Sequence, residues 1–301
     1  MEAGTMINAI IFGAGNIGSN LAKELSNEKV FVKYVVRTSG IFDDAFNKVA
    51  EQKDWKSFVD EVDLAFICVP TSGKGEKAFE YELNFLEKGK PVITCEKASV
   101  AFCWEVLNKY KKLFLYTASV GGGTKMLQEI SKYDPQEIKE IKAVVNGTLN
   151  YISDGLVSGR TKDEVVKDVL EKGYAEPGAV TFEEIIKSEM NDVLLKTIII
   201  ANHSGIFDRV ITKEDIAIFD FDISKRCIVK IDRNNIEIGY IEDAKADWLP
   251  DGVNNILLIN NEKKAYGPGA GADATVLSMI YDLKILSNSF PFANSSTNLS
   301  K

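Results

Sequence analysis

The first 120 residues alternate short apolar runs with longer stretches of mixed polarity. Runs at 7–12, 30–36, 64–69, 92–95 and 113–116 have the length and β-branched or aromatic content of strands. Between them, apolar positions recurring every three or four residues predict helices over 17–25, 76–87 and 101–111. Strand and helix taking turns in this way predict right-handed crossovers and an α/β fold built on a doubly wound parallel sheet. Ligands of such sheets sit at the carboxyl ends of the strands.

The pattern changes after Ser119-Val-Gly-Gly-Gly123. A helix at 126–132 leads to a strand at 138–145. Thr161-Lys-Asp-Glu164 is a capping box opening a helix over 165–171, and a longer helix covers 182–202. Strands at 227–231 and 236–241 flank Asn234-Asn235 as a hairpin, 255–259 reads as another strand, and an apolar-striped helix covers 275–286. The organisation expected is a first domain of residues 1–125 together with 272–301, and a second, mixed α/β domain over 126–271. Gly267-Pro-Gly-Ala-Gly271 would be the hinge, and the polar tail at 287–301 carries little chemistry.

Composition adds mostly exclusions. The 301 residues are 45% hydrophobic and 27% charged, the balance of a globular protein with an ample core. A net charge of −8 argues against a nucleic-acid partner or an anionic membrane surface. No apolar run approaches the ~20 residues of a membrane span, and the N-terminal residues lack a signal-peptide pattern, so a cytoplasmic protein is expected. Cys68, Cys95, Cys103 and Cys227 show no metal-binding or redox spacing and read as reduced, packed thiols.

Chemistry enters at Gly13-Ala-Gly-Asn-Ile-Gly18, which follows an apolar run and opens a helix. That context makes Gly13, Gly15 and Gly18, with Asn16 and Ile17 between them, a dinucleotide fingerprint: a tight turn, an open approach for a pyrophosphate and a close helix–strand contact. The second strand ends in Arg37-Thr38-Ser39, with no carboxylate to hold a ribose 2′-hydroxyl. An arginine there suits a 2′-phosphate, so NADP is expected before NAD. Should Arg37 not serve it, Lys53 or Lys56 would be next.

The chain holds one histidine, His203, near a helix end where it caps or packs. Histidine-based hydrolysis, hydride transfer and metal sites are therefore hard to build, and proton transfer falls to lysine, carboxylate, tyrosine or cysteine. Lys97 stands at a strand's carboxyl end. Asp192 and Lys196, at i and i+4 beside the apolar run 197–201, share one helix face and can pair. The bland reading of that pair is a surface ion pair contributing about 0.3–0.5 kcal/mol.

Together these pieces resemble the homoserine dehydrogenase family: GAGNIG at 13–18, VITCEKASVA at 92–101, YTASVGGG at 116–123, VVNGTLNYI at 144–152, GYAEP at 173–177, NDVLLKTIIIA at 191–201 and GPGAG at 267–271. The resemblance runs over nearly the whole chain in the family's order. It implies a Rossmann-type fold and a short form without a regulatory ACT domain or fused aspartate kinase. The implied reaction interconverts L-homoserine and L-aspartate 4-semialdehyde with NAD(P). Lys97 and Lys196 are then the active-site lysines, Lys196 moving the hydroxyl proton and Lys97 polarising the carbonyl, or the reverse. Asp192 and Glu176 would hold the substrate ammonium, Gly147 and Thr148 the substrate-contacting turn, and Tyr174 would line the pocket. Pro70 and Thr71 would lie near the nicotinamide, with Gly269 and Gly271 closing over it. A monovalent cation, Na+ or K+, is implied among backbone carbonyls of Thr117, Val120 and Gly122. The family also implies a homodimer, joined through second-domain strands such as 236–241 and 255–259, whose edges need covering.

Three positions depart from the family pattern. Glu96 replaces the usual asparagine before Lys97, and is expected either to hold Lys97 protonated or to turn toward solvent. Residues 178–191 form a longer approach to the Asp–Lys helix, with Lys187 at a commonly acidic position. Thr117 stands where glutamate is common. Glu96 and the longer 178–191 segment keep open another amino-acid-derived aldehyde or amine as substrate; a catalytically weak nucleotide-binding paralogue is a further alternative, against which intact Lys97, Asp192 and Lys196 argue.

Overall fold

A computed structural model describes residues 6–175, 178–241, 243, 245–269, 271–290 and 292. The chain divides into two compact units, residues 1–119 with 275–301, and 120–274. In the first unit, β1 (Ile7–Phe12) leads into α1 (Asn16–Leu25) and β2 (Val30–Arg37). A short hairpin extension follows, β3 (Gly40–Asp43) and β4 (Lys48–Ala50), then a 3-10 helix over Gln52–Glu61. Next come β5 (Leu64–Ile67), α2 (Glu76–Glu87), β6 (Val92–Thr94), α3 (Ala98–Phe102), α4 (Trp104–Leu107) and β7 (Phe114–Leu115).

The sheet order is β4-β3-β2-β1-β5-β6-β7; the pairings from β2 across β1 to β7 are parallel and only the β2–β3 and β3–β4 pairings are antiparallel. The chain leaves β1 for β2 on one side and returns to β5 on the other, so the topological switch lies at β1. Register fixes what emerges there. Phe12 pairs with Val36 and with Ile67, and Ile67 with Thr94, so Gly13, Arg37, Cys68 and the Cys95-Glu96 turn leave the sheet in one row.

Two expectations for this unit need correction. The β3–β4 extension was not anticipated; it occupies the position beside β2 and supplies Phe42 beneath Arg37. The helix expected at 101–111 starts three residues earlier and breaks at Cys103 (φ −109°, ψ 20°) into α3, α4 and a 3-10 turn. Its early start follows from the Glu96 carboxylate, which takes up the first free N–H groups.

The second unit contains α5 (Met126–Ile130), β8 (Glu140–Val144), α6 (Gly147–Val157), α7 (Lys162–Glu171) and α8 (Phe182–Ser204). Capping boxes open α7 at Thr161/Glu164 and α8 at Thr181/Glu184. Then come β9 (Ala217–Ile218), β10 (Arg226–Asp232), β11 (Ile236–Ile241), β12 (Asn254–Ile259) and β13 (Glu262–Pro268) in a sheet ordered β13-β12-β8-β10-β11-β9. The 227–241 hairpin forms as expected. The edges differ from expectation: β11 and β12 are interior strands, and β9 and β13 are the outer ones. Gly267 and Pro268 end β13 instead of forming a free hinge.

The closing helix, α9 (Ala272–Ser289), belongs from Thr275 onward to the first unit. Its Val276, Met279, Leu283 and Leu286 pack with Leu21 and Leu25 of α1 on Ile7, Ala9 and Ile11 of β1. The other face of β1 is covered by aromatic side chains: Phe12 stacks on Tyr81 (4.1 Å) and meets Trp55 (5.5 Å) and Phe85 (5.9 Å) edge-on. Both faces of the sheet are therefore covered, as its continuous apolar strands require. Asp282 of α9 is fully buried and accepts the Thr117 N–H (3.0 Å) and hydroxyl (2.5 Å).

Candidate active site

At the carboxyl edge of the first sheet lies a cavity of about 630 Å³ lined by Gly13, Ala14, Gly15, Arg37, Thr38 and Ser39 together with Gln52, Pro70, Ser72, Lys77 and Glu96. Its glycines differ in what constrains them. Gly13 has φ +96°, and a Cβ there would lie 2.5 Å from the Cys68 carbonyl. At Gly18 a Cβ would lie 1.9 Å from the Gly13 carbonyl, so helix and loop meet backbone to backbone. A Cβ at Gly15 would meet nothing within 4 Å, so packing within the chain does not demand glycine there. The space in front of Gly15, at the N-terminus of α1, is what a pyrophosphate needs. The first turn of α1 carries no acidic side chain to compete for it.

Arg37, half-buried, rests its guanidinium on the Phe42 ring at 5.5 Å, and its Nε is buried with no hydrogen-bond acceptor. Lys77 lies over Tyr81 at 5.9 Å. No carboxylate among the described residues pairs with either cation. The cavity's one carboxylate, Glu96, is 1% exposed and spends both oxygens on backbone N–H groups, 2.9 Å from Ala98 and 2.6 Å from Ser99. In a chain of net charge −8, this cavity therefore presents two uncompensated cations. Those residues fit a dinucleotide carrying an extra phosphate. Lys77 was missed in the sequence because it lies a long way from the fingerprint; only the fold brings α2 to the cavity. Thr71, expected near a nicotinamide, is exposed between the lining residues Pro70 and Ser72. Lys53 and Lys56 lie on the 3-10 helix and do not line the cavity; Lys56 pairs with Glu80 at 2.8 Å.

Glu96 does not turn toward solvent: it is buried as a backbone cap, directly before half-buried Lys97. Lys97 itself has backbone angles of φ −97° and ψ −37° at the start of α3.

In the second unit the polar groups gather where β8 ends. The Lys196 ammonium lies 2.7 Å from the Asp192 carboxylate and donates to the Val145 carbonyl at 2.8 Å. Their side chains are 10% and 12% exposed, which rules out the solvated surface pair. Asn146, at the N-cap of α6, accepts the Leu149 N–H at 2.7 Å and donates to Glu189 (2.6 Å) and Asp192 (2.9 Å). Glu189, Asp192 and Lys196 fall at i, i+3 and i+7, one face of α8. Neither Asn146 nor Glu189 was anticipated. The helical spacing of Glu189 was a readable signal, whereas Asn146 lay in a run without an apolar period.

Gly147 packs against Val253, where a Cβ would lie 2.3 Å from its carbonyl, and Thr148 donates its hydroxyl to the Tyr174 carbonyl at 2.9 Å. Tyr174 meets Tyr151 edge-on at 5.5 Å. Glu176 lies outside the described residues. Gly269 presses against the buried Asn255 amide, and Gly271 has φ +121°. Thr117 and Gly122 lie in 3-10 turns on either side of Val120, which is buried. Among the described residues no cluster of three or more His, Cys, Asp or Glu side chains is placed to hold a metal ion. His203 is half-buried in the last turn of α8, with its Nε2 2.9 Å from both the Leu127 carbonyl and the Ser131 hydroxyl. Burial pushes its pKa down to about 4, so it is a neutral packing group. No described helix is long and apolar enough to cross a membrane.

A mixed parallel sheet covered on both faces, a glycine loop opening α1 and a cationic cavity at the switch point define a Rossmann-type α/β protein of the dinucleotide-binding class. Comparison with known proteins narrows the class. The family model described as homoserine dehydrogenase matches residues 125–283, just over half of the chain, and the chain belongs to that family. It is 23% identical to homoserine dehydrogenase of Bacillus subtilis (strain 168), over 91% of this chain and 71% of that protein. It is also 23% identical to homoserine dehydrogenase of Sulfurisphaera tokodaii, over 92% and 97% of the two chains. Among solved structures, a hyperthermophilic archaeal homoserine dehydrogenase in complex with NADPH superposes with a TM-score of 0.75 at 19% identity, covering 95% of this chain and 99% of that one.

Proposed function

We propose that this chain interconverts L-homoserine and L-aspartate 4-semialdehyde and prefers NADP to NAD. The observation that carries the reaction is the buried Lys196–Asp192 pair at the end of β8, in a chain of this family. Cofactor preference is supported by Arg37 and Lys77, which line the cavity and pair with no carboxylate among the described residues. When bound, the nicotinamide supplies the hydride donor or acceptor. Loop 13–18 and the N-terminus of α1 hold the pyrophosphate, and Arg37 with Thr38 holds the 2′-phosphate.

As an ammonium paired with Asp192, Lys196 is in the state that gives a proton, which suits reduction of the aldehyde. In the reverse direction it takes the hydroxyl proton as neutral amine. Lys97 polarises the substrate oxygen, and the opposite division between the two lysines is the second assignment. Asp192, with Glu176, meets the substrate ammonium, while Thr148 and Tyr174 shape the adjoining turn. The resemblance further supports a homodimer and a monovalent cation on the carbonyls of Thr117, Val120 and Gly122. Light scattering and exchange of Na+ or K+ for a tetramethylammonium salt test these two.

The decisive assay follows NADPH consumption with L-aspartate 4-semialdehyde and NADP reduction with L-homoserine. Turnover in both directions is expected, and NADP binding without turnover in either direction sinks the reading. Lys196→Ala is expected to lower kcat by about 10²–10⁴, the usual worth of a positioned acid or base, while NADP binding persists. Activity near the native level would place proton transfer elsewhere.

A further inference from the structure

We infer that Glu96 is a positioning residue that fixes the backbone on both sides of Lys97, supported from α2 by the buried carboxyl of Glu82. The inference rests on the reading of Lys97 as the lysine that polarises the substrate oxygen.

Lys97 stands between Glu96 and Ala98 in the turn that leaves β6. The N–H groups of Ala98 and Ser99 donate to separate oxygens of Glu96, at 2.9 and 2.6 Å. One side chain therefore bridges over the lysine and closes it into a single turn. Lys97 supplies no cap of its own to α3. This double contact requires a carboxylate. An amide has one acceptor oxygen, and its NH2 would face the second N–H donor to donor. Glu96 is 1% exposed, so water does not substitute for it.

Beneath this turn, Thr94 and Ser99 tie its two ends to Glu82. The Thr94 hydroxyl accepts the Glu96 N–H at 3.1 Å and bonds to Glu82. The Ser99 hydroxyl donates to Glu82 Oε1 at 3.0 Å. Glu82 is fully buried, and its Oε2 has no hydrogen-bond partner, which suits a protonated carboxyl and penalises an ionised one. Of the elements packed on α2, β5, β6 and α3 carry no charged side chain, and the 3-10 helix Gln52–Glu61, which packs through Trp55 on Tyr81, spends Lys56 on Glu80. The titratable groups facing Glu82 are Glu96 and Cys103, and burial pushes the Cys103 thiol up to about 11, so it stays neutral. Burial first, with repulsion from Glu96 adding to it, pushes Glu82 up to about 8. The cluster thus divides into an ionised cap and a neutral support. Deprotonating Glu82 places a second negative charge beside the first and loosens the turn that holds Lys97.

The test uses the full-length enzyme, measuring kcat, both KM values and NADP binding from neutral to alkaline pH for the native chain, Glu96→Gln, Glu82→Gln and Lys97→Ala. Glu96→Gln is expected to lower kcat about 10- to 100-fold, the effect of misplacing a reacting group, with the KM for NADP within about twofold. Glu96→Asp, which keeps both acceptors, is expected to recover part of that loss. Glu82→Gln, fixed in the neutral form, is expected to move the alkaline limb of the kcat profile to higher pH. Native kcat in Glu96→Gln, or a Glu82→Gln profile that superposes on the native one, overturns the inference. Where Glu96→Gln fails to fold, as judged by NADP binding, the Glu82→Gln profile decides. An active Lys97→Ala removes the reading of Lys97 and the positioning role with it. An inactive Lys97→Ala beside a fully active Glu96→Gln removes the positioning role alone.

Discussion

Arg37 carries a buried Nε with no acceptor, an arrangement that costs free energy unless an anion arrives to complete it. A phosphate oxygen does so, whereas a ribose hydroxyl gives a guanidinium a weaker acceptor. Charged hydrogen bonds of this kind contribute about 1.5–3 kcal/mol. Arg37→Asp is therefore expected to weaken NADP relative to NAD by about 10- to 100-fold, read from the ratio of kcat/KM with the two cofactors. Lys77 is exposed, so solvent screens it, and Lys77→Gln is expected to move the same ratio by only about two- to fivefold. A loss shared equally by NADP and NAD would assign these cations to the pyrophosphate; no change in either would remove them from the cofactor site.

At the scale of elements, Asn146 joins three: it ends the β8 segment, caps α6 and braces Glu189 and Asp192 on α8. Asn146→Ala removes a cap worth about 1 kcal/mol and leaves the buried Glu189 and half-buried Asp192 carboxylates each short of a donor. A stability loss of about 1–3 kcal/mol in denaturant unfolding is expected, with a fall in kcat/KM for homoserine. If stability falls while kcat/KM holds, the α8 face does not depend on this brace. Asn146 also marks where the sequence stops being readable. Local signals carried the alternation of β1, α1 and β2, the Thr161/Glu164 capping box, the 227–241 hairpin and the Asp192–Lys196 spacing, because each depends on neighbours along the chain. Glu82 and Glu96 are 14 positions apart and meet only through the sheet, so a carboxylate before Lys97 read as a perturbing charge rather than a cap. β13 and the β3–β4 extension were missed for a related reason. β4 and β13 are mostly exposed and give little apolar period, β3 is only four residues long, and each becomes a strand by pairing with a neighbour.

For the molecule as a whole, buried ionisable groups set how stability responds to pH. Burial pushes Asp282 up from 3.8 to about 7, against the two bonds from Thr117, and pushes Glu82 from 4.5 to about 8. Each folded-state value lies above the unfolded one, so the folded chain keeps a proton that the unfolded chain has lost. Stability from these groups is greatest below pH 4 and falls as pH rises, until the folded values are passed. His203 has the opposite sign: its folded value of about 4 lies below 6.5, so its contribution is complete above pH 6.5 and is lost as pH falls toward 4. Between pH 6.5 and 8 the histidine no longer contributes a slope, and only the two acids act. Each retained proton lowers stability by at most about 1.4 kcal/mol per pH unit. The melting temperature is therefore expected to fall by several degrees from pH 6.5 to 8. Asp282→Asn should flatten the lower part of that decline and Glu82→Gln the upper part, whatever either substitution does to stability at a single pH. Parallel curves for the native chain and both variants would mean that neither carboxyl is held protonated in the folded state. The mixed case would be equally informative: a curve flattened by Glu82→Gln alone leaves Asp282 ionised on its two Thr117 bonds, as hydrogen bonding to a carboxylate would favour.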